Sequence, residues 1–401
     1  YEIRPRDWSS DVCSSDLEAI QTSVSFITFA EKKLMDFALT EEHLMIRNAA
    51  RDFARQECLP GVIERDEQQR FPLEQVMKLA DLGFLGMMIP ENHGGAGLDT
   101  TSYVLAMEEI SKVDASVSVC MSVNNSLVNW GLEKYGNEEQ KQRYLKPLAM
   151  GKKDGRLYIG AFLLSEPEAG SDATSQHTTA IDKGDHYLLN GMKNWITNGS
   201  SASVYLVMAQ TDASKGSKGI NAFIVEKSWP GVTVGKKENK MGIRASDTHS
   251  ISFTDVKVPK ESRIGEEGFG FSFAMQTLNG GRIGIAAQAL GIASGAYDLA
   301  LAYARQRRAF GREIKDHQAI QFKLADMHTR IEAARMLCFK AAWEKDAATA
   351  TVAFIAGLGR LKGEGENVNA TIEGLVGNNI ILKDRKSTRL NSSHVALSRM
   401  P

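Results

Sequence analysis

The sequence predicts an α+β multidomain protein: a helical N-terminal domain, a middle β-barrel-like domain and a C-terminal helical bundle cut short. Three observations carry this expectation. Apolar residues recur at helical spacing up to about residue 158. From about Ile159 the pattern changes to short β-rich runs, often alternating, punctuated by Gly, Asp, Ser and Pro. From Gly268 the helical pattern returns. The 401 residues are ample for two or three domains with a large core. Apolar content of 43% and charged content of 24% are ordinary for a globular chain. A net charge of −1 gives no reason to expect nucleic acid or an anionic membrane as partner.

Taken in order, residues 35–158 form the first domain. Thr40 followed by Glu41, Glu42 and His43 reads as a capped helix start with acidic residues in the first turn. Leu44, Ile46, Ala49, Phe53 and Ala54 then follow at roughly helical spacing. Further helices are expected at Leu73–Leu82, Thr100–Lys112, Ser116–Lys134 and Glu138–Met150, with the glycine-bearing turn Pro90–Gly97 between the first two. Residues 159–265 form the β domain, with strands in HYLLNG, SVYLVMAQ, INAFIVEK, VTVGKK and HSISFTDVKVP. Residues 266–346 form the partial helical domain. Its small-residue helix from Ile283 to Ala304 should let a neighbour approach closely, and a second helix should run from Gln318 to Trp343. Gly265–Gly270 reads as the hinge into this domain. Residues 1–34 and 347–401 do not continue the pattern. The first 17 are compositionally odd, 347–384 is Gly-rich without helical period, and RKSTRLNSSHVALSRMP at the end is Ser/Arg-rich. Both ends are read as a non-native leader and an aberrant tail, and are set aside.

No stretch reads as a membrane span. The four cysteines have no C-x-x-C spacing, which suggests free thiols in a reducing compartment, and the cytoplasm is expected. The histidines show no metal-ligand spacing, and no metal is expected.

Two motifs carry chemistry. Phe162–Gln176, FLLSEPEAGSDATSQ, has an apolar strand-like lead, then Ser165, Glu166, a proline and a tight Gly170-Ser171-Asp172 turn. Such a turn presents N–H groups and hydroxyls beside an apolar wall, which suits a flat, partly anionic ligand. About twenty residues on comes NWITN, Asn194–Asn198. With RQRRAFG at Arg305–Gly311, the set resembles the acyl-CoA dehydrogenases, flavoproteins that oxidise acyl-CoA thioesters, and most of all the short-chain, butyryl-CoA type. The resemblance covers Met35 to about Asp346, apart from a somewhat longer LAMGKKDGRLYIGAF segment that a surface loop should absorb.

The resemblance implies FAD as cofactor, an acyl-CoA substrate, an electron-transfer flavoprotein as partner and a homotetramer. It assigns Phe162, Leu164, Ser165, Ser171, Trp195, Ile196 and Thr197 to the flavin. Trp195 would shield a ring face, and the Thr197 hydroxyl would bond near the hydride-accepting nitrogen. Arg307 and Gln318 would reach the flavin's pyrophosphate or adenosine part from a neighbouring subunit. A guanidinium is well shaped for phosphate. Ser171, Asn279, Gly280, Gly281 and Arg282 would meet the acyl-CoA, the two glycines leaving room in a pocket. Asp172 and Glu166 are read as turn-forming and helix-capping groups.

Oxidation across Cα–Cβ needs a base for the α-proton, best a carboxylate with its pKa raised in an apolar pocket, and donors for the thioester oxygen. In the short- and medium-chain members that base is the Glu of a Y-E-G-T segment near the C-terminus. No such segment occurs here, nor the G-G-x-G turn expected before it. Other members carry the Glu immediately before the Arg that aligns with Arg282, where this chain has Gly281. Glu373 of TIEGLVGN is a superficial substitute in the wrong context. No catalytic residue is therefore assigned. Two alternatives stay open: a non-catalytic FAD- or acyl-CoA-binding protein, and an acyl-CoA oxidase.

Overall fold

The structure, a computed structural model, describes residues 38–362, and from Leu39 onward they fall in one compact unit. The expected leader and most of the expected tail, Glu373 included, lie outside the described residues.

The helices begin where the sequence writes a cap. The Thr40 hydroxyl accepts from the His43 N–H at 3.2 Å, and the Thr40 N–H donates to the His43 ring at 3.3 Å. This reciprocal box opens α1 (Glu41–Phe53), with Glu41 and Glu42 at the positive end of its dipole. Phe53 and Ala54 of the expected stripe are buried and Ile46 packs on the core, whereas Leu44 and Ala49 are exposed and Ala50 is buried instead. α2 (Val62–Glu67), α3 (Leu73–Asp81), α4 (Thr100–Ser111), α5 (Ala115–Ser122), α6 (Trp130–Tyr135), α7 (Glu138–Gln140) and α8 (Lys146–Met150) follow.

The single helix expected over Ser116–Lys134 is present as one continuous helical run, 115–135, but it is not α-helical throughout. Between α5 and α6 the backbone widens into a π-helical stretch, Val123–Asn129. The cause is polar. Residues five apart share a face in such a turn, and Asn124 and Asn129 both donate to the Leu85 carbonyl, at 2.9 and 2.8 Å. Asn124 also accepts from the Gly160 N–H, tying this turn to the first long strand of the sheet.

The insertion before that strand is a hairpin, β1 (Lys152–Lys153) and β2 (Arg156–Leu157). Asp154 and Gly155 take positive φ at its tip, the geometry that closes a two-residue hairpin. It is exposed except at its base, as a surface insertion should be.

The β part is an eight-stranded sheet. β3 (Gly160–Leu163), β4 (Thr179–Asp182), β5 (His186–Thr197), β6 (Val204–Gln210), β7 (Ile220–Glu226), β8 (Val232–Lys237), β9 (Thr248–Pro259) and β10 (Arg263–Ile264) run in the order β10-β7-β6-β4-β5-β9-β8. β3 also pairs with β6, parallel, over Val204–Val207, whereas β4 meets β6 at Gln210. The chain thus leaves the sheet after Leu163 and returns beside the same strand at Thr179. β6 is buried on both faces, which explains its continuous apolar run. Val204, Leu206 and Met208 pack with Leu132, Leu145 and Phe273 of the helices. Tyr205, Val207 and Ala209 face the sheet's own core with Leu189, Phe223 and Val256.

Two long helices close the described chain. α9 (Gly270–Gln306) starts well before the expected Ile283, so Asn279–Arg282 lies within a helix. By length and composition alone it is also apolar enough to cross a membrane, contrary to the expectation that no run would be. Here it packs on α4 through glycines. A Cβ on Gly291 would stand 2.4 Å from the Glu108 carbonyl, and one on Gly295 2.3 Å from the Lys112 carbonyl. The hairpin β11 (Arg308–Ala309) and β12 (Arg312–Glu313) leads to α10 (Gln318–Lys362). α10 therefore continues beyond Trp343 into the region expected to lack helical structure. Ala-rich sequence sustains a helix without a strong apolar period, and that propensity outweighs the glycines. Asp346 belongs to the fold, since its carboxylate accepts from the Thr100 N–H at 3.0 Å at the start of α4. Arg335 of α10 bonds the buried Glu108 of α4 at 2.8 Å.

Candidate functional site

The excursion between β3 and β4, residues 164–178, holds the first motif, and one buried ion pair ties its ends together. Lys193 on β5 is fully buried, and its ammonium donates to the Leu164 carbonyl at 3.0 Å, Glu166 Oε1 at 2.7 Å and Gln176 Oε1 at 3.1 Å. Three donors meet three acceptors, which is what an ammonium needs away from water. The Glu166 carboxylate accepts in addition from the His177 N–H at 2.5 Å and the Thr178 N–H at 3.1 Å. Burial pulls the Lys193 pKa down to about 8, because a charge loses its hydration. Burial pushes the Glu166 carboxyl up, but the ammonium and the N–H donors outweigh it and hold it below the usual carboxylate range. Glu166 is thus neither a helix cap nor a simple turn former, as expected above. It is half of an internal brace. Asp172 does form the turn: it accepts from the Thr174 and Ser175 hydroxyls at 2.7 and 2.5 Å. The tip, Gly170 and Ser171, is exposed.

The second motif meets the first at a bulge. Pairing of β5 with β9 shifts register between Lys193 and Ile196. At this point the Asn194 N–H donates to the Ser165 carbonyl at 2.9 Å. Trp195 stands at φ 63° and is 61% exposed. A bulky residue at positive φ costs about 1–3 kcal/mol and marks a conformation imposed by its surroundings. The bulge turns the indole outward beside the loop. Ile196, next along, returns to the core, and Thr197, half-buried, pairs with Thr248 of β9. Asn194 Oδ1 is buried with no donor facing it. An outward indole, an unsatisfied acceptor beside it and an exposed Gly-Ser turn make a surface suited to a flat ligand carrying N–H or O–H donors and anionic oxygens.

The other expected residues divide. Phe162 is half-buried, its ring stacked on Phe273 of α9 at 6.3 Å, and Leu164 is buried. These side chains, with Ile196, hold the scaffold together. The bulge bond sets Ser165 beside Asn194 and Trp195, and the brace holds the two ends of the loop whose tip carries Ser171.

On α9, Arg282 donates to Asn279 Oδ1 at 2.8 Å and both are exposed. Gly281 does not leave room in a pocket: a Cβ there would lie 2.7 Å from Leu127 Cδ2, so the glycine lets the 123–129 stretch approach. A Cβ on Gly280 would find only ordinary contacts, with Lys345 Nζ nearest at 3.6 Å.

Arg307 and Gln318 flank the β11–β12 hairpin and are exposed. Phe310 and Gly311 both take positive φ at its tip, and Phe310 is 96% exposed. Among the described residues, no hydrogen bond joins this hairpin to the sheet.

Lys193 was missed by sequence reasoning. Its signal was present: a lone lysine in an apolar-alternating strand, two residues before a tryptophan, with a glutamate upstream. Among the described residues, Cys58, Cys120 and Cys338 are free and buried.

Comparison with known proteins places this geometry. Three family models match in succession: acyl-CoA dehydrogenase N-terminal domain over residues 40–152, middle domain over 161–256 and C-terminal domain over 268–359. The last match runs past the Asp346 limit expected above. A short-chain specific acyl-CoA dehydrogenase of Clostridium acetobutylicum is 49% identical over 313 residues, covering 78% of this chain and 81% of that protein. The structure of butyryl-CoA dehydrogenase from Megasphaera elsdenii is similar with a TM-score of 0.75 and 45% identity, covering 83% of this chain and 89% of that one. A chain in a structure of the electron transferring flavoprotein of Acidaminococcus fermentans, concerned with flavin-based electron bifurcation, is similar with a TM-score of 0.77 and 43% identity, covering 87% of this chain and 100% of that one.

Proposed function

Because the chain belongs to the acyl-CoA dehydrogenase family, an FAD-using group of oxidoreductases acting on CH–CH bonds, we propose that its reaction is the α,β-dehydrogenation of short-chain acyl-CoA thioesters. The observation that carries this is the bulge that turns Trp195 outward beside the Ser165–Ser171 loop, with Asn194 Oδ1 left unsatisfied. FAD, when bound, supplies the two-electron acceptor for the β-hydrogen.

The chain's own residues then have separate tasks. Trp195 and the loop exclude water from one face of the ligand and orient it. The Ser171 hydroxyl and the N–H groups of its turn meet anionic oxygens. Asn279, Gly280, Gly281 and Arg282 lie under the acyl-CoA, with the Arg282 guanidinium steered by Asn279. Holding the α-proton requires a carboxylate free of other duties. Glu166 is committed to Lys193 and Asp172 to its own turn. We assign no base among the described residues. Short acyl chains are favoured by the relatives named above.

Arg307 and Gln318 serve a neighbouring copy's cofactor in this reading. The exposed Phe310 tip and the exposed Leu299, Tyr303, Phe322 and Leu337 of α9 and α10 support an assembly of identical chains, a homotetramer. An electron-transfer flavoprotein is the proposed acceptor of electrons, and the cytoplasm the proposed location.

The test is binding. The chain is loaded with FAD and titrated with butyryl-, octanoyl- and palmitoyl-CoA, and the flavin absorption is followed. Butyryl-CoA should perturb the spectrum at the lowest concentration. Preference for palmitoyl-CoA would remove the short-chain assignment, and no response to any thioester would favour a protein that binds flavin for another purpose. Hydrogen peroxide released with substrate would mark an oxidase instead.

A further inference from the structure

Lys193 and Glu166 take no part in the steps above, yet they form a wholly internal ion pair beside the surface that meets the ligand. Buried pairs of this kind are poor stabilisers, since desolvation consumes much of the attraction, and apolar replacements of similar volume are often as stable. A pair kept in such a place needs a geometric purpose. Its bonds supply one. The ammonium takes the Leu164 carbonyl and Glu166 at the outgoing end of the loop and Gln176 at the returning end. The carboxylate takes the His177 and Thr178 N–H groups, and the Thr178 carbonyl accepts from the Gln210 N–H at 2.8 Å where the chain rejoins the sheet. On its own strand Lys193 is the last residue in register before the bulge. The next N–H, that of Asn194, holds Ser165, and the next side chain is the outward Trp195 at positive φ.

One buried point therefore fixes three things: both ends of the 164–178 loop and the base of the Trp195 bulge. We propose that the Lys193–Glu166 pair is the positioning device of the flavin-facing surface, holding the loop and Trp195 in mutual register before the cofactor arrives. Preorganisation of this sort strengthens binding by removing the ordering cost from the binding step. Neither residue touches the ligand; both act through Ser165, Ser171 and Trp195. The inference rests on the flavin-binding reading for the identity of the ligand, but the register it describes exists in the chain alone.

Three variants of the full chain test it: Glu166→Gln, Lys193→Met, and the double variant Lys193→Met with Glu166→Leu, which replaces the pair by apolar side chains. Each is measured by FAD titration, by the absorption spectrum of bound flavin, by thermal unfolding, and by amide hydrogen exchange without FAD. The double variant removes the partners of the Leu164 carbonyl, Gln176 and the His177 and Thr178 N–H groups, so it should unfold at a somewhat lower temperature but still cooperatively, bind FAD about ten-fold or more weakly, and show a shifted flavin spectrum. Exchange at 164–178 and 194–197 should quicken while that of β6 and β7 stays slow. If Lys193→Met does not fold, Glu166→Gln decides, with weaker FAD binding at nearly unchanged unfolding temperature. Wild-type FAD affinity, spectrum and local exchange in the double variant would overturn the proposal and leave the pair a packing element. Should the wild-type chain bind no FAD, the flavin reading falls, and the exchange measurement alone decides the positioning role: unchanged exchange in the loop and bulge defeats it.

Discussion

The loop at 164–178 and the hairpin at 308–313 are both expected to touch the same cofactor, yet they are built in opposite ways. The loop is fastened from within its own chain. A fully buried ammonium, a carboxylate and several backbone groups close it, and each bond partner is in place. The hairpin stands at the end of α9 with its Phe310 tip almost wholly exposed. The β5 bulge beside the loop and the tip of the hairpin each hold a strained non-glycine residue, Trp195 and Phe310, at φ 63° and 52°. Around Trp195 the strain is held by the bulge and the Ser165 bond. At Phe310 it is held by the turn and by the His317 ring packed edge-on at 5.9 Å. The difference teaches that the sheet presents a finished surface, whereas the hairpin presents one side of a contact.

The same contrast separates the two faces of the long helices. Toward α4 they are tightly fitted, and the largest effect is expected there. Gly291→Val would drive a side chain into the Glu108 carbonyl, which cannot move aside, and should cost about 3 kcal/mol or more in chemical denaturation. A tolerated valine would mean that α9 and α4 are not so closely packed. Arg335→Met should follow, at about 3 kcal/mol, because it strips the buried Glu108 of the guanidinium that bonds it. Little change would show that Glu108 finds another partner, such as Lys112 at 3.6 Å.

Toward solvent the expectation reverses. Phe310→Ser and Leu337→Lys should each change the stability of the isolated chain by no more than about 0.5 kcal/mol. Both should lower the assembled mass measured by light scattering. A large loss of chain stability with unchanged mass would contradict the view that this face awaits a second copy.

Smallest, and local, is the effect of acid on the loop. The folded-state pKa of Glu166 lies below its unfolded value. Its contribution to stability is therefore complete above the ordinary carboxylate pKa of about 4.3 and is lost as pH falls through the lower folded value. Exchange at 164–178 should quicken in that acid window before β6 and β7 respond. Simultaneous loss would make the loop part of the global unfolding unit.

Much of the architecture was legible because it depends on short-range pattern. The Thr40 cap, the apolar run of β6 and the glycine stripe of α9 are each written in neighbouring residues. What could not be read depends on residues distant in sequence. The π-helical stretch arises because Asn124 and Asn129 share the Leu85 carbonyl, and no periodicity signals that. The role of Glu166 required Lys193, twenty-seven positions away. Gly281 was expected to open space, but it closes a helix contact, since a glycine alone does not say whether a ligand or a neighbouring chain segment fills the gap. The extension of α10 to Lys362 was missed because alanine-rich helix carries little apolar period.

The central claim is that the described residues build the surface that holds the electron acceptor of the proposed dehydrogenation. Anaerobic addition of butyryl-CoA to the FAD-loaded chain tests it. The account predicts FAD bound by the chain with quenched tryptophan fluorescence, and a flavin spectrum perturbed by the thioester. Failure to bind FAD, or a flavin spectrum unchanged by the thioester, would contradict it.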